Sequence, residues 1–93
     1  MKRLTIGEKL ALELFCTLEE EMQSAFKESR NENNPETWRE HCLGKYQGMR
    51  RAQNLLELQY HVVYEFSEKN DECIDYEDYR ALKSQYGVLG RDK

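Results

Sequence analysis

The sequence is poor in the residues that interrupt helices, with one proline and five glycines in 93 residues. That scarcity excludes a collagen-like or Pro/Gly-rich linker chain and leaves long stretches free to be helical. No apolar run approaches the ~20 residues that a membrane-spanning helix needs. The start, Met1, Lys2 and Arg3 leading into a charged amphipathic segment, does not read as a signal peptide. Cysteine is scarce as well: Cys16, Cys42 and Cys73 are odd in number, widely spaced and outside any C-x-x-C pattern. This argues against a disulfide framework and for a reducing, cytoplasmic setting. Strong net charge is also missing, since −4 by itself names no partner. A chain of this length suffices for one domain, 1–93, with a modest core.

Charge is abundant where net charge is not, at 34% of residues, and its placement is uneven. Glu65, Glu68, Asp71, Glu72, Asp75, Glu77 and Asp78 face only Lys69, a net −6 over residues 65–78. Arg39, Lys45, Arg50 and Arg51 against Glu40 make a smaller basic excess upstream. The chain therefore has two oppositely charged regions.

Hydrophobic spacing predicts an all-α fold: a long antiparallel helical hairpin with a short third helix, three-helix bundle-like and a candidate dimer. Helix one is expected over about 5–30, because Thr5 and Glu8 have the spacing of a capping box. Leu10, Ala11, Leu14, Phe15, Leu18, Met22, Ala25 and Phe26 then form one stripe. Asn34 as N-cap and Pro35 in the first turn start helix two, expected over about 35–67. Its seam is Trp38, Cys42, Tyr46, Met49, Gln53, Leu56, Tyr60 and Val63, in which Gln53 is the polar exception. A short connection folds the two helices antiparallel and pairs Phe26 with Trp38, Met22 with Cys42, Leu18 with Tyr46 and Phe15 with Met49.

Between Leu55 and Phe66 apolar residues surround helix two instead of lining one side, so this stretch is expected to be buried on two faces. Leu56, Leu58, Tyr60, Val62, Tyr64 and Phe66 also alternate as a strand would, a rival reading that needs a second chain to complete a sheet. Helix three is expected over about 76–86, with Asp75 as N-cap, an Ile74–Tyr79 staple and Gly87 as terminator. Residues 88–93 read as a flexible tail.

Two surfaces stand out as candidate partner-binding sites. Gly44, Gly48 and Ala52 recur every fourth residue beside the seam of helix two, and Leu55 and Val62 extend that face. Each glycine costs a helix about 1 kcal/mol relative to alanine, so close approach of another helix is one reason to keep two, and a local kink is the other. The second surface is the acidic segment with interleaved aromatics: Tyr64, Glu68, Asp71, Glu72, Asp75, Tyr76, Asp78 and Tyr79. Tyrosines among carboxylates suit a binding hot spot, and carboxylates on helices imitate the phosphates of nucleic acid. The plain reading of the same residues is a solvated loop with acids that favour a helix N-terminus.

Chemistry is not indicated. Cys16, His41, Cys42, His61 and Cys73 lack the short paired spacings of zinc sites, and no nucleophile elbow, phosphate loop or H-E-x-x-H is present. No catalytic, cofactor or metal residue is therefore assigned. Four basic residues without a recognised module do not make a nucleic-acid-binding face. The expectation is a non-enzymatic, protein-binding regulator or inhibitor. In style alone it resembles the accessory proteins of phages and mobile elements, with a nucleic-acid-handling enzyme as a candidate partner. A self-assembling structural homo-oligomer is the alternative.

Overall fold

The computed structural model describes residues 3–88, which form helices α1 (Ile6–Arg30), α2 (Glu36–Gln59), α3 (His61–Asn70) and α4 (Tyr76–Gln85) and no strand. α1 begins at the expected capping box. Thr5 Oγ1 accepts from the Glu8 amide at 3.1 Å, and Glu8 Oε1 accepts from the Thr5 amide at 3.0 Å. The loop to α2 is closed differently from the expectation. Asn34 does not cap α2; its Nδ2 donates back to the Glu28 carbonyl at 3.0 Å, while Pro35 occupies the α2 cap position without a side-chain bond. Trp38 Nε1 also donates to Glu28 Oε1 at 3.2 Å, and Arg39 Nε to the Ser29 carbonyl at 3.3 Å. Carbonyls left open at the α1 C-terminus thus gain donors from Asn34 in the loop and from Arg39 in α2.

These bonds engage Trp38 with the end of α1, and the hairpin register differs from the one expected. Phe26 meets the Tyr46 ring, with centroids 5.1 Å apart, instead of Trp38. Near the middle of α1, Gln53 replaces Met49 opposite Phe15. Its fully buried side chain donates Nε2 to the Phe15 carbonyl at 3.2 Å and to Glu19 Oε1 at 3.0 Å. The contacts therefore run one to two turns further along α2 than apolar matching alone suggests.

The long second helix is also corrected: it stops at Gln59, and Tyr60 alone is extended, with φ −129° and ψ 113°. The Tyr60 carbonyl accepts from Val63 and Tyr64 at 3.0 and 3.1 Å, so a new helix starts at once. The surplus of apolar residues around 55–66 is the cause visible in the sequence. A straight helix would need cover on two sides, whereas the break gives α3 its own inward face of Val62, Val63 and Phe66. Helix prevails over strand on both sides of the break.

The core lies where α3 and α4 close on the N-terminal half of α1, around Ala11, Leu12, Phe15, Cys16, Val63, Phe66, Tyr79, Leu82 and Tyr86. Phe66 is at its centre, edge-on to Phe15, Tyr79 and Tyr86 at 5.8, 6.2 and 5.2 Å. This packing rotates the buried face of α1 toward Leu12 and Cys16. Leu10 and Leu14, expected in the stripe, are exposed as a result. Asp75 caps α4 by accepting from the Asp78 amide at 3.0 Å. The Ile74 staple does not form, since Ile74 is 89% exposed. Gly87, with φ +78°, turns the chain after α4, and Val88 is buried against the core instead of starting a free tail. The rest of that expected tail, 89–93, lies outside the described residues.

Candidate functional site

The α3–α4 connection is tied to α4 through the Asp75 cap and stands across from the middle of α1. Between them lies a cleft of about 380 Å³, lined by Glu19 and Gln23 on one wall and by Asn70, Asp71, Cys73, Ile74, Asp75, Tyr76 and Tyr79 on the other. None of these side chains is cationic, and three are carboxylates. Glu19 is held in place by Gln53 Nε2 on Oε1 and by Gln23 Nε2 on Oε2, at 3.0 and 2.9 Å. Asp75 uses Oδ1 for its helix cap.

Tyr79 forms part of the cleft wall and is itself buried, its hydroxyl donating to the Cys16 carbonyl at 3.4 Å. Beside it Lys83 is buried along its stem. Its Nζ pairs with Glu20 Oε2 at 2.7 Å and lies 5.4 Å from the centre of the Tyr79 ring. This pair docks α4 on α1. Burial pushes the Cys16 thiol up to about 11 and raises Tyr79 as well, so neither is an ionised nucleophile near neutral pH. Cys73 in the cleft is also raised, first by desolvation and then by Asp78, Glu72 and Asp75.

The structure divides the two surfaces read from the sequence. Gly44 and Gly48 are exposed, and a Cβ added at either meets nothing within 4 Å, so packing within the chain does not require them. Leu55 is 53% exposed on α2. Val62 does not extend that face, because the Tyr60 break carries it into the core at 5% exposure. At the acidic end, Asp71, Asp75, Tyr76 and Tyr79 come together around the cleft, while Tyr64, Glu68, Glu72 and Asp78 are exposed outside its lining. Tyr79 supports the cleft from within and presents little surface of its own.

Glu19, Gln23, Asn70, Cys73 and Ile74 are cleft residues that spacing alone does not reveal. Glu19 and Gln23 are distant in sequence and arrive only through the docking of α4 on α1. Asn70, Cys73 and Ile74 sit inside the acidic segment, but its spacing packs Ile74 in a staple, and only the structure shows it exposed. Among the described residues, no group of three or more His, Cys, Asp or Glu side chains is placed to hold a metal ion, and no helix is long and apolar enough to cross a membrane. Comparison with known protein families, with curated proteins and with solved structures found no significant match.

Proposed function

We propose that this protein acts without catalysis, by binding another protein through its α3–α4 end and thereby regulating or inhibiting it. It would be an accessory factor of the kind carried by phages and mobile elements. The observation that carries the reading is apolar surface held open among carboxylates. Ile74, Tyr76 and Tyr64 are 89%, 62% and 45% exposed in the region of Glu68, Asp71, Glu72, Asp75 and Asp78. Exposed aromatic and aliphatic anchors give a contact its affinity, and surrounding charge selects the partner and speeds encounter. A partner with a basic groove, such as a nucleic-acid-handling enzyme, suits the sign of that charge. The three cysteines are free, which fits a reducing, cytoplasmic compartment.

The test is capture of a host protein on the immobilised chain, followed by affinity measurement with charge variants. Replacing Glu72 and Asp78 by lysine, with the capping Asp75 kept, is expected to weaken binding by about tenfold or more at low salt. Unchanged affinity would remove the acidic end from the interface.

A second reading, self-assembly into a homo-oligomer, is favoured by a different observation. Leu10 and Leu14 on α1 and Leu55 and Leu58 on α2 are 62%, 51%, 53% and 81% exposed, and Gly44 and Gly48 leave α2 smooth. Light scattering across a wide concentration range decides it. Replacing Gly44 by a bulky residue dissociates an oligomer under this reading and leaves a monomer unchanged under the first.

A further inference from the structure

We propose that Tyr60 is a hinge at which two copies of this chain exchange their α3–α4 units, α2 and α3 of each copy then running on as one helix; such a dimer depends on neither the acidic surface nor the glycine face considered above. The unit that moves is joined to α2 by one residue but is packed on α1. Within it Phe66 meets the Tyr79 and Tyr86 rings at 6.2 and 5.2 Å, which holds α3 and α4 together. Its anchors on α1 are the Phe15 ring, 5.8 Å from Phe66, the Cys16 carbonyl that accepts from the Tyr79 hydroxyl at 3.4 Å, and Glu20, paired with Lys83 at 2.7 Å. Toward α2, Ser67 Oγ donates to Glu57 Oε2 at 2.8 Å, close to the joint. Exchange between two copies keeps the α1 contacts and alters the joint, which makes it a low-cost route to a dimer.

Nothing in the residues at the joint demands a break. Neither glycine nor proline is present, and the seam Gln53, Leu56, Tyr60 and Val63 keeps its three- and four-residue steps straight through. The Tyr60 amide bonds to the Leu56 carbonyl at 2.9 Å and the Tyr64 amide to the Tyr60 carbonyl at 3.1 Å, both with α-helical spacing. Among the described residues the His61 and Val62 amides make no backbone bond across the joint. A straight helix would add theirs, to the carbonyls of Glu57 and Leu58. Leu55, Leu58 and Tyr64 around the joint are 53%, 81% and 45% exposed, so this stretch carries more apolar surface than the closed chain buries.

Straightening cannot be completed within one chain. Gln53 lies opposite Phe15, so in a continuous helix Phe66 would stand beyond the start of α1, roughly 20 Å along the axis from Phe15 at ~1.5 Å per residue. Leu12, Phe15 and Cys16, buried in the closed chain, would lose their cover. The surface shaped to cover them is the same α3–α4 unit of a second copy, and a two-fold arrangement satisfies both chains at once. Each cleft is then shared, with Glu19 and Gln23 from one copy facing Asp71 and Asp75 from the other.

The experiment refolds mixed chains from denaturant at high protein concentration and weighs the products by light scattering and native mass spectrometry. Glu20→Lys in one chain and Lys83→Glu in a ¹⁵N-labelled second chain each set like charges face to face, whereas an exchanged dimer of the two restores an opposite pair at both sites. The mixed dimer is expected to outnumber like-with-like dimers about fivefold or more, against parity for dimers joined through a surface. Where a charge variant alone fails to fold, recovery of the helical spectrum on mixing is the same positive result. His61→Pro decides the question without touching the core. Proline suits the first position of α3 and holds the preceding Tyr60 extended, so the closed chain keeps its helical spectrum while the straight helix is blocked and the dimer falls at least about tenfold. Tyr60→Ala, a better helix former, should raise the dimer. Random assortment, a dimer that survives His61→Pro, or a monomer at every concentration in wild type and Tyr60→Ala alike would overturn the exchange. Loss of the dimer in Gly44→Trp would place the contact on the glycine face and overturn it as well.

Discussion

The two ends of the molecule are built differently. At one end α1, α3 and α4 bury aromatic rings against each other, with Phe15, Phe66 and Tyr86 at 1%, 0% and 2% exposure. At the other, the hairpin tip is held by polar bonds to Glu28 and Ser29, while Trp38 and Phe26 remain 45% and 39% exposed. α2 contributes only Cys42 and Gln53 to the fully buried set. The chain thus concentrates its stability where it also places its cleft. A rigid base beneath a binding surface lowers the ordering cost of association, and the tip is left as the region expected to open first.

The sharpest way to break this contrast is to delete one ring at each end. Phe66→Ala removes the central ring of the core and should destabilise by about 3–5 kcal/mol, a large share of the stability of a small domain. Trp38→Ala should lose about 1 kcal/mol, since the ring is half exposed and its bond to Glu28 is solvent-accessible. Chemical denaturation followed by circular dichroism checks both. Similar losses would mean that the tip is as structural as the core.

Alkaline titration sharpens the same comparison. Cys16 has an ordinary value of 9.0, raised to about 11 in the folded chain chiefly by burial. The unfolded thiol therefore releases its proton first, so this group's contribution is intact below pH 9 and stability falls as pH rises from there toward 11. Tyr79, raised in the same direction, adds to the fall. In the folded protein a thiol reagent should modify the partly exposed Cys73 well before the buried Cys16 and Cys42. Early modification of Cys16 would show that the core opens more readily than its packing implies.

The smallest effect expected is a gain. Gly48→Ala should stabilise α2 by about 0.5–1 kcal/mol, because a Cβ there meets nothing within 4 Å. A loss would mean that the smooth face is already covered in solution, which is the result self-assembly predicts.

Much of this architecture was legible in the residues. Thr5 with Glu8, Asp75 before α4 and Gly87 after it each act as local chemistry dictates. The break at Tyr60 was not legible, because neither glycine nor proline marks it; only the excess of apolar residues around it hints that a straight helix has more surface than neighbours. The hairpin register failed for a related reason. Apolar matching ignored Gln53 as a buried donor and Trp38 as a partner for Glu28, although Gln53 was the one polar member of its seam. Half of the cleft wall was readable as an acidic, tyrosine-rich segment, whereas Glu19 and Gln23 reach it only through tertiary packing.

The central claim, that the acidic end is the working surface, is tested most directly by hydrogen exchange on the protein with its captured partner bound. The account predicts new protection across residues 68–78, with the hairpin tip at 31–38 unchanged. Protection at the tip or along Gly44–Leu55, with exchange in 68–78 unaltered, would contradict it.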